Sequence, residues 1–157
     1  MKRKLIVVFI LMIIILFFSI GQAQTYNDII NEAFVIKTTR TILVNRMNIM
    51  NLCIYEGLDL KLAEEKLKEI EVDALVKEDL KNLVYLRENP TDLEYVSALR
   101  VLNISLIDYS LEKIRFKTEI EWEINYYEDK TTEVFKYEIE LIRVDDRFLL
   151  NRFELIS

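Results

Sequence analysis

The chain has 157 residues, carries 27 acidic against 21 basic side chains for a net charge of −6, and contains no histidine. Histidine is the side chain that titrates near neutral pH without perturbation, so serine triads, cysteine–histidine dyads and the usual zinc sites are excluded. Two glycines and one proline exclude glycine-rich phosphate loops, and the acidic balance disfavours nucleic acid and anionic lipid headgroups as partners.

The N-terminus carries an address. Lys2, Arg3 and Lys4 form a positive cluster, Leu5 to Ile20 is apolar apart from Ser19, and Gly21-Gln22-Ala23 ends the run with small residues. Charged, apolar and small-residue regions in that order define an export signal. A helix over 5–23 is also just long enough to span a bilayer, so residues 1–23 read as a signal peptide or an N-terminal membrane anchor. In both cases the basic cluster stays in the cytoplasm and the acidic remainder crosses. Residues 24–157 then form a single extracytoplasmic domain, with 18 basic against 27 acidic side chains. Its one cysteine, Cys53, has no intramolecular disulfide partner and is expected to pack as a small apolar group within a helix.

Thr25 to Glu56 reads as a long helix. Ile29, Ala33, Ile36, Arg40, Leu43, Met47, Met50 and Ile54 recur at alternating spacings of four and three, one continuous helical stripe, and Phe34, Val35, Ile42, Val44, Ile49 and Leu52 widen it, so that the helix reads as mostly buried. Arg40 interrupts it, either snorkelling to water or standing as a cation at the mouth of a pocket. Gly57 stops the helix. A second helix starts near Asp59 and presents Leu60, Ala63, Leu67, Ile70 and Ala74 on one face. A third runs from Val76 to Glu88 and is ended by Asn89-Pro90. Thr91 to Glu94 has capping-box spacing and is expected to open a further short helix.

From about Leu99 the period becomes that of strands. Val101 to Tyr109 supplies the first. Ile114, Phe116, Thr118, Ile120, Trp122, Ile124 and Tyr126 then alternate with polar residues, giving a strand with one buried and one wet face. Glu128 to Thr131 makes a turn, and Phe135, Tyr137, Ile139 and Leu141 line the inward face of the return strand. Asp145-Asp146 turns into a last strand through Phe148 to Leu155. The expected fold class is α+β, with N-terminal helices packed on a curved four-stranded antiparallel meander.

Two constellations stand out. With Asp129-Lys130 as a two-residue loop, Trp122 faces Tyr137, Ile120 faces Ile139 and Ile124 faces Phe135. The same register sets Glu121 against Glu138 and Glu119 against Glu140, leaving only Glu123 with a basic partner, Lys136. Like charges directly opposite are unfavourable. Glu119, Glu121, Glu138 and Glu140 are therefore a solvated face or an acidic docking face for a basic partner, and a flat strand wraps a divalent cation poorly. Phe116, Trp122, Tyr126, Phe135 and Tyr137 are either core or the lining of an apolar pocket. The glutamates have a separation that fits a paired-carboxylate hydrolase, but on a wet sheet face they lack the burial that raises one pKa.

The C-terminal hairpin carries a resemblance. Tyr137-Glu138-Ile139-Glu140-Leu141-Ile142-Arg143, the turn Val144-Asp145-Asp146-Arg147 and Phe148-Leu149-Leu150-Asn151-Arg152-Phe153 together resemble the closing hairpin of the nuclear transport factor two-like (cystatin-like cone) superfamily. That superfamily often has Gly where Asp146 stands and Trp where Phe148 stands. The resemblance covers Leu99 to Ile156 and implies a curved sheet wrapped around helices, often around a cavity. Enzymes of the superfamily use His and Asp in that cavity, so no catalytic residue carries over. Exported members act as binding or assembly modules, including periplasmic domains of secretion and conjugation components. The expectation is a non-enzymatic domain at the bacterial cell envelope that needs no cofactor or metal. Its partner would be a protein or a small apolar ligand. The alternatives are a membrane-anchored subunit of a secretion- or conjugation-type complex and a cavity enzyme using carboxylates and tyrosines.

Overall fold

The computed structural model describes residues 32–89, 95–125 and 129–156. The export or anchor segment, the expected start of the long helix, the capping box at 91–94 and Tyr126 lie outside the described residues. Residues 36–157 form one compact unit. Of residues 1–35 only 32–35 are described, as the start of the first helix.

Helix α1 spans Glu32–Tyr55, α2 Leu60–Leu67 and α3 Asp73–Glu88. Gly57, at φ 73°, reverses the chain after α1 so that the Leu58 N–H donates to the Leu52 carbonyl at 3.0 Å. Arg87 reaches across from α3 and donates to the Cys53 carbonyl from Nε (3.1 Å) and Nη2 (2.9 Å), satisfying an orphan acceptor at the end of α1. Asp59 caps α2 by accepting from the N–H groups of Lys61 (2.9 Å) and Leu62 (3.3 Å), as the sequence suggests. Ile49 and Cys53 of α1, Ala63 and Leu67 of α2, and Val76 and Leu83 of α3 pack into one buried cluster.

Two helical expectations are corrected. The buried line on α1 within the compact unit is Thr39, Ile42, Ile49 and Cys53, with Leu43 beside it, and Arg46 lies in that line. The stripe is one residue out of phase with the one read from sequence, and Arg40 is exposed. Helix α3 begins at Asp73 rather than Val76, so Ala74 belongs to α3 and is exposed. Its N-cap, Val72, has no polar side chain to make a cap bond; its N–H instead donates to the Leu150 carbonyl at 3.0 Å and ties the helix start to β4.

The strands are β1 (Tyr95–Tyr109), β2 (Lys113–Asn125), β3 (Lys130–Val144) and β4 (Arg147–Ile156). They pair in the order β1-β2-β3-β4, all antiparallel, as an open, somewhat curved sheet. The α+β meander expected from the sequence is the observed architecture. The α2–α3 connector adds a short parallel bridge, Glu71 to Leu150, on the edge of β4, with the Leu150 N–H donating to the Ile70 carbonyl at 2.8 Å.

Strand β1 starts six residues earlier than Val101. Its register shifts past Ser97, Leu102 and Ile107, three bulges that bend the strand and blunt its free edge. The residues paired with the inward side of β2 are Val96, Leu99, Val101, Ile104, Leu106 and Tyr109. The β2–β3 register is also corrected. Asn125 pairs with Lys130, so the pairing sits four residues from the expected one. Trp122 faces Glu133, Ile120 faces Phe135 and Phe116 faces Ile139.

Candidate functional site

The corrected register reorganises the outer sheet face. Glu119 now faces Lys136, Lys117 faces Glu138 and Arg115 faces Glu140, so unlike charges sit opposite each other. Glu119 takes the Asn103 amide at 2.7 Å and Lys136 at 3.6 Å. Glu121 takes Arg100 at 3.0 Å through Nε. Glu138 is held by Arg115 at 2.6 Å and Arg152 at 3.1 Å, and Glu140 accepts from the Asn151 amide at 2.6 Å. Glu123 pairs with Lys130 and Ser97, each at 2.6 Å, rather than with Lys136. The four glutamates singled out in the sequence thus lie within a lattice of alternating sign that spans all four strands.

The aromatic residues separate. Phe116 is fully buried among the sheet's inward residues, whereas Phe135 is 37% exposed. Trp122 and Tyr137 come together, with ring centroids 6.2 Å apart and planes at 69°. Tyr137 in turn stacks on Phe153 at 4.5 Å and 12°. The Arg46 guanidinium completes the row from α1, its Cζ 5.1 Å from the Phe153 centroid, within cation–π range.

Arg46 anchors a cluster that pattern reading does not find. Its Nε and Nη2 donate to the two Asp79 oxygens at 2.7 and 2.6 Å, the bidentate fork that guanidinium and carboxylate favour. The same Nε lies 2.8 Å from Glu71 Oε1, but both Glu71 oxygens are buried without a hydrogen bond of good geometry. The Arg46 side chain is 19% exposed, against 0% for Glu71 and 2% for Asp79. Burial first, then the Asp79 charge, pushes the Glu71 carboxyl up to about 8, with Arg46 acting against both. For Arg46, burial works to lower the pKa, but the attraction of Asp79 and Glu71 outweighs it and leaves the guanidinium raised.

Above this cluster a cleft of about 180 Å³ opens between α1 and the sheet, lined by Leu43, Arg46, Met47, Met50, Ile54 and Trp122, with Asn51 and Val96 at its side. Asn51 donates to the Val96 carbonyl at 2.7 Å and ties α1 to β1. The cleft is mainly apolar, and its polar groups are Arg46, Asn51 and the indole. Trp122 Nε1 is buried and meets no acceptor in good geometry. Burial pushes the Tyr137 phenol up, while the neighbouring indole N–H and the Arg46 charge act the other way. Of the residues expected to line an apolar pocket, Trp122 lines this cleft and Tyr137 stands behind it. The lining from α1 was not anticipated. Among the described residues no group of acidic or cysteine side chains is placed to hold a metal ion, and no helix is long and apolar enough to cross a membrane.

No protein-family model matches the sequence, and no curated protein matches it. Among solved structures the chain is similar to the intermembrane space region of the chloroplast protein ARC6, at 13% identity and a TM-score of 0.44, over 78% of this chain and 96% of that one. It is also similar to the solution structure of a de novo β-sheet design protein, at 12% identity and a TM-score of 0.39, over 79% of this chain and 88% of that one. At such scores the likeness is confined to a four-stranded antiparallel sheet with helices, and no function passes from either protein to this chain.

Proposed function

We propose that residues 24–157 act as a non-enzymatic extracytoplasmic binding domain of the cell envelope, related in architecture to the cystatin-like cone proteins. The cleft between α1 and the sheet is its binding site. The observation that carries the reading is the cleft itself. Met47, Met50 and Ile54 from the helix face the indole of Trp122 across about 180 Å³. Methionines adapt to varied apolar shapes, and a cleft of this size takes a short apolar chain or a single ring rather than a large ligand. The membrane address rests on the basic cluster and apolar run of residues 2–23.

Trp122 is the single tryptophan of the chain, so its fluorescence reports the site directly. Decanoate titrated into the protein as isolated from an expressing host is expected to shift Trp122 emission saturably. Met47→Glu, which places a charge in the cleft, removes that response. No saturable change, or the same change in Met47→Glu, would refute the assignment.

A further inference from the structure

The buried cluster beneath the cleft has a charge problem built into its geometry. Two carboxylates from different segments share one guanidinium, and all three groups are withdrawn from solvent. Arg46 spends its fork on Asp79, which leaves Glu71 with both oxygens buried and no donor in good geometry. Two carboxylates can bond to each other only through a shared proton, and a proton on Glu71 supplies the missing donor. A second buried negative charge that must share one cation with Asp79 is strongly unfavourable.

We propose that Arg46, Glu71 and Asp79 form a proton-operated latch that holds the helical layer on β4 while one proton is shared between the two carboxyls, and loosens when that proton leaves. The connections explain why a proton here has a structural consequence. Arg46 belongs to α1 and Asp79 to α3, while Glu71 lies in the connector that bridges to Leu150 of β4. The guanidinium also rests over Phe153 of β4. One residue from each of two helices, one from the connector and one ring from the sheet thus meet at a single charge balance.

The groups facing Glu71 are few. Helix α1 offers Arg46 and α3 offers Asp79. Strand β4 offers the Leu150 backbone, bridged to Glu71, and the uncharged Phe153 ring beneath Arg46; among the described residues the charges that act on Glu71 are those of Arg46 and Asp79. Strand β3 offers Tyr137, behind Phe153 and within reach of the Arg46 charge. The direction of the Glu71 shift agrees with the geometry, since burial and Asp79 together raise it to about 8. The folded pKa lies above the unfolded value of 4.5, so the folded state holds the proton more tightly. The latch contributes fully below about pH 4.5 and is lost as pH rises through about 8. One linked proton changes the folded-to-unfolded ratio by up to about tenfold per pH unit inside that window.

The test is urea unfolding of the chain as isolated, from pH 5 to pH 9, alongside Glu71→Gln. The wild type is expected to lose up to about tenfold in its folded ratio per pH unit as far as about pH 8 and to level off above it. The amide variant keeps the donor at every pH and should lack this component. Parallel pH profiles for the two proteins would overturn the proposal. Should Glu71→Gln fail to fold, carboxyl-carbon NMR on the native wild type decides it. A glutamate titrating near pH 8 supports the latch, and a Glu71 signal titrating below pH 5 overturns it. Exchange of the Val72 and Leu150 amides, corrected for intrinsic chemistry, should accelerate through the same window if the connector loosens. This test is independent of the binding assay, because decanoate response can fail while the pH component persists.

Discussion

Replacing Arg46 by methionine tests how much the buried cluster depends on its one cation. The substitution keeps most of the apolar stem and removes two short hydrogen bonds to Asp79, at 2.6 and 2.7 Å, together with the 2.8 Å contact to Glu71. Unit charges with centres roughly 4 Å apart interact by about 4 kcal/mol at an effective dielectric near 20. Desolvation already offsets part of that attraction in the wild type. Without Arg46 the offset remains and the attraction does not, which places the loss at about 3–5 kcal/mol near pH 7. That is a large fraction of the roughly 5–15 kcal/mol that holds a domain together. The loss carries a pH signature. With the cation gone, nothing offsets the burial of a charge on Glu71, so the deficit grows as pH rises through about 8, where the wild-type Glu71 gives up its proton. Urea unfolding followed by Trp122 fluorescence and far-UV circular dichroism measures it, with the slope checked for constancy. Arg46→Met/Glu71→Gln/Asp79→Asn, which neutralises the cluster, should recover at least half of the loss at pH 7. A single-variant loss under about 1 kcal/mol, or one that does not vary with pH, would mean that Arg46 does not hold the two carboxyls in place.

Two further outcomes concern the sheet. Arg115→Ala on the outer face should cost only about 0.5–1 kcal/mol, because the pair is partly exposed and Arg152 still holds Glu138 at 3.1 Å, and denaturation in 1 M salt should reduce the cost further. Asp145 carries φ 55° at the first loop position of the β3–β4 hairpin, where a type II′ turn favours glycine. Thermal unfolding should therefore rank Asp145→Gly at or above wild type and place Asp145→Val about 1–2 kcal/mol below it.

The sequence exposes the fold class because the inward residues of β2 keep a strict period of two, and Gly57 and Pro90 fence the helices. What it conceals has physical causes. On α1 the stripe through Leu43, Met47, Met50 and Ile54 is more apolar than the one that is buried. The buried line contains Thr39 and Arg46, and polar residues in a helical stripe read as solvent-facing unless their partners are known. Those partners, Glu71 and Asp79, lie 25 and 33 residues downstream. Asp79 alone left a trace, as an acid on the α3 face between Leu75, Val76 and Leu83. The start of strand β1 and its bulges escape for a different reason. Its inward residues follow spacings of three, two, three, two and three, which match neither a strand nor a helix, because a bulge restores the face every five residues.

The β2–β3 register is legible on only one face of the sheet. An error of four residues is even, so every inward side chain stays inward and the apolar pattern cannot detect it. The outer face can. The expected register sets Glu121 against Glu138 and Glu119 against Glu140, while the observed one aligns Glu119 with Lys136, Lys117 with Glu138 and Arg115 with Glu140. Where an apolar face permits several registers, opposite charges on the wet face select among them.

The same division between faces locates the chemistry. Charges on the outer face are exposed, neutralised locally and interchangeable in effect. On the inner side the polar groups are few, and Arg46 serves two structures at once. It lines the cleft and balances the carboxyl pair beneath it. A ligand that contacts Arg46 and a proton that resides on Glu71 therefore act on one guanidinium. Any free energy the ligand gains from one protonation state over the other must appear, equal in size, as a shift in proton affinity when the ligand binds. The row Trp122–Tyr137–Phe153–Arg46 runs from the cleft wall to the buried charges across three strands and α1, so the two events share a continuous packed path.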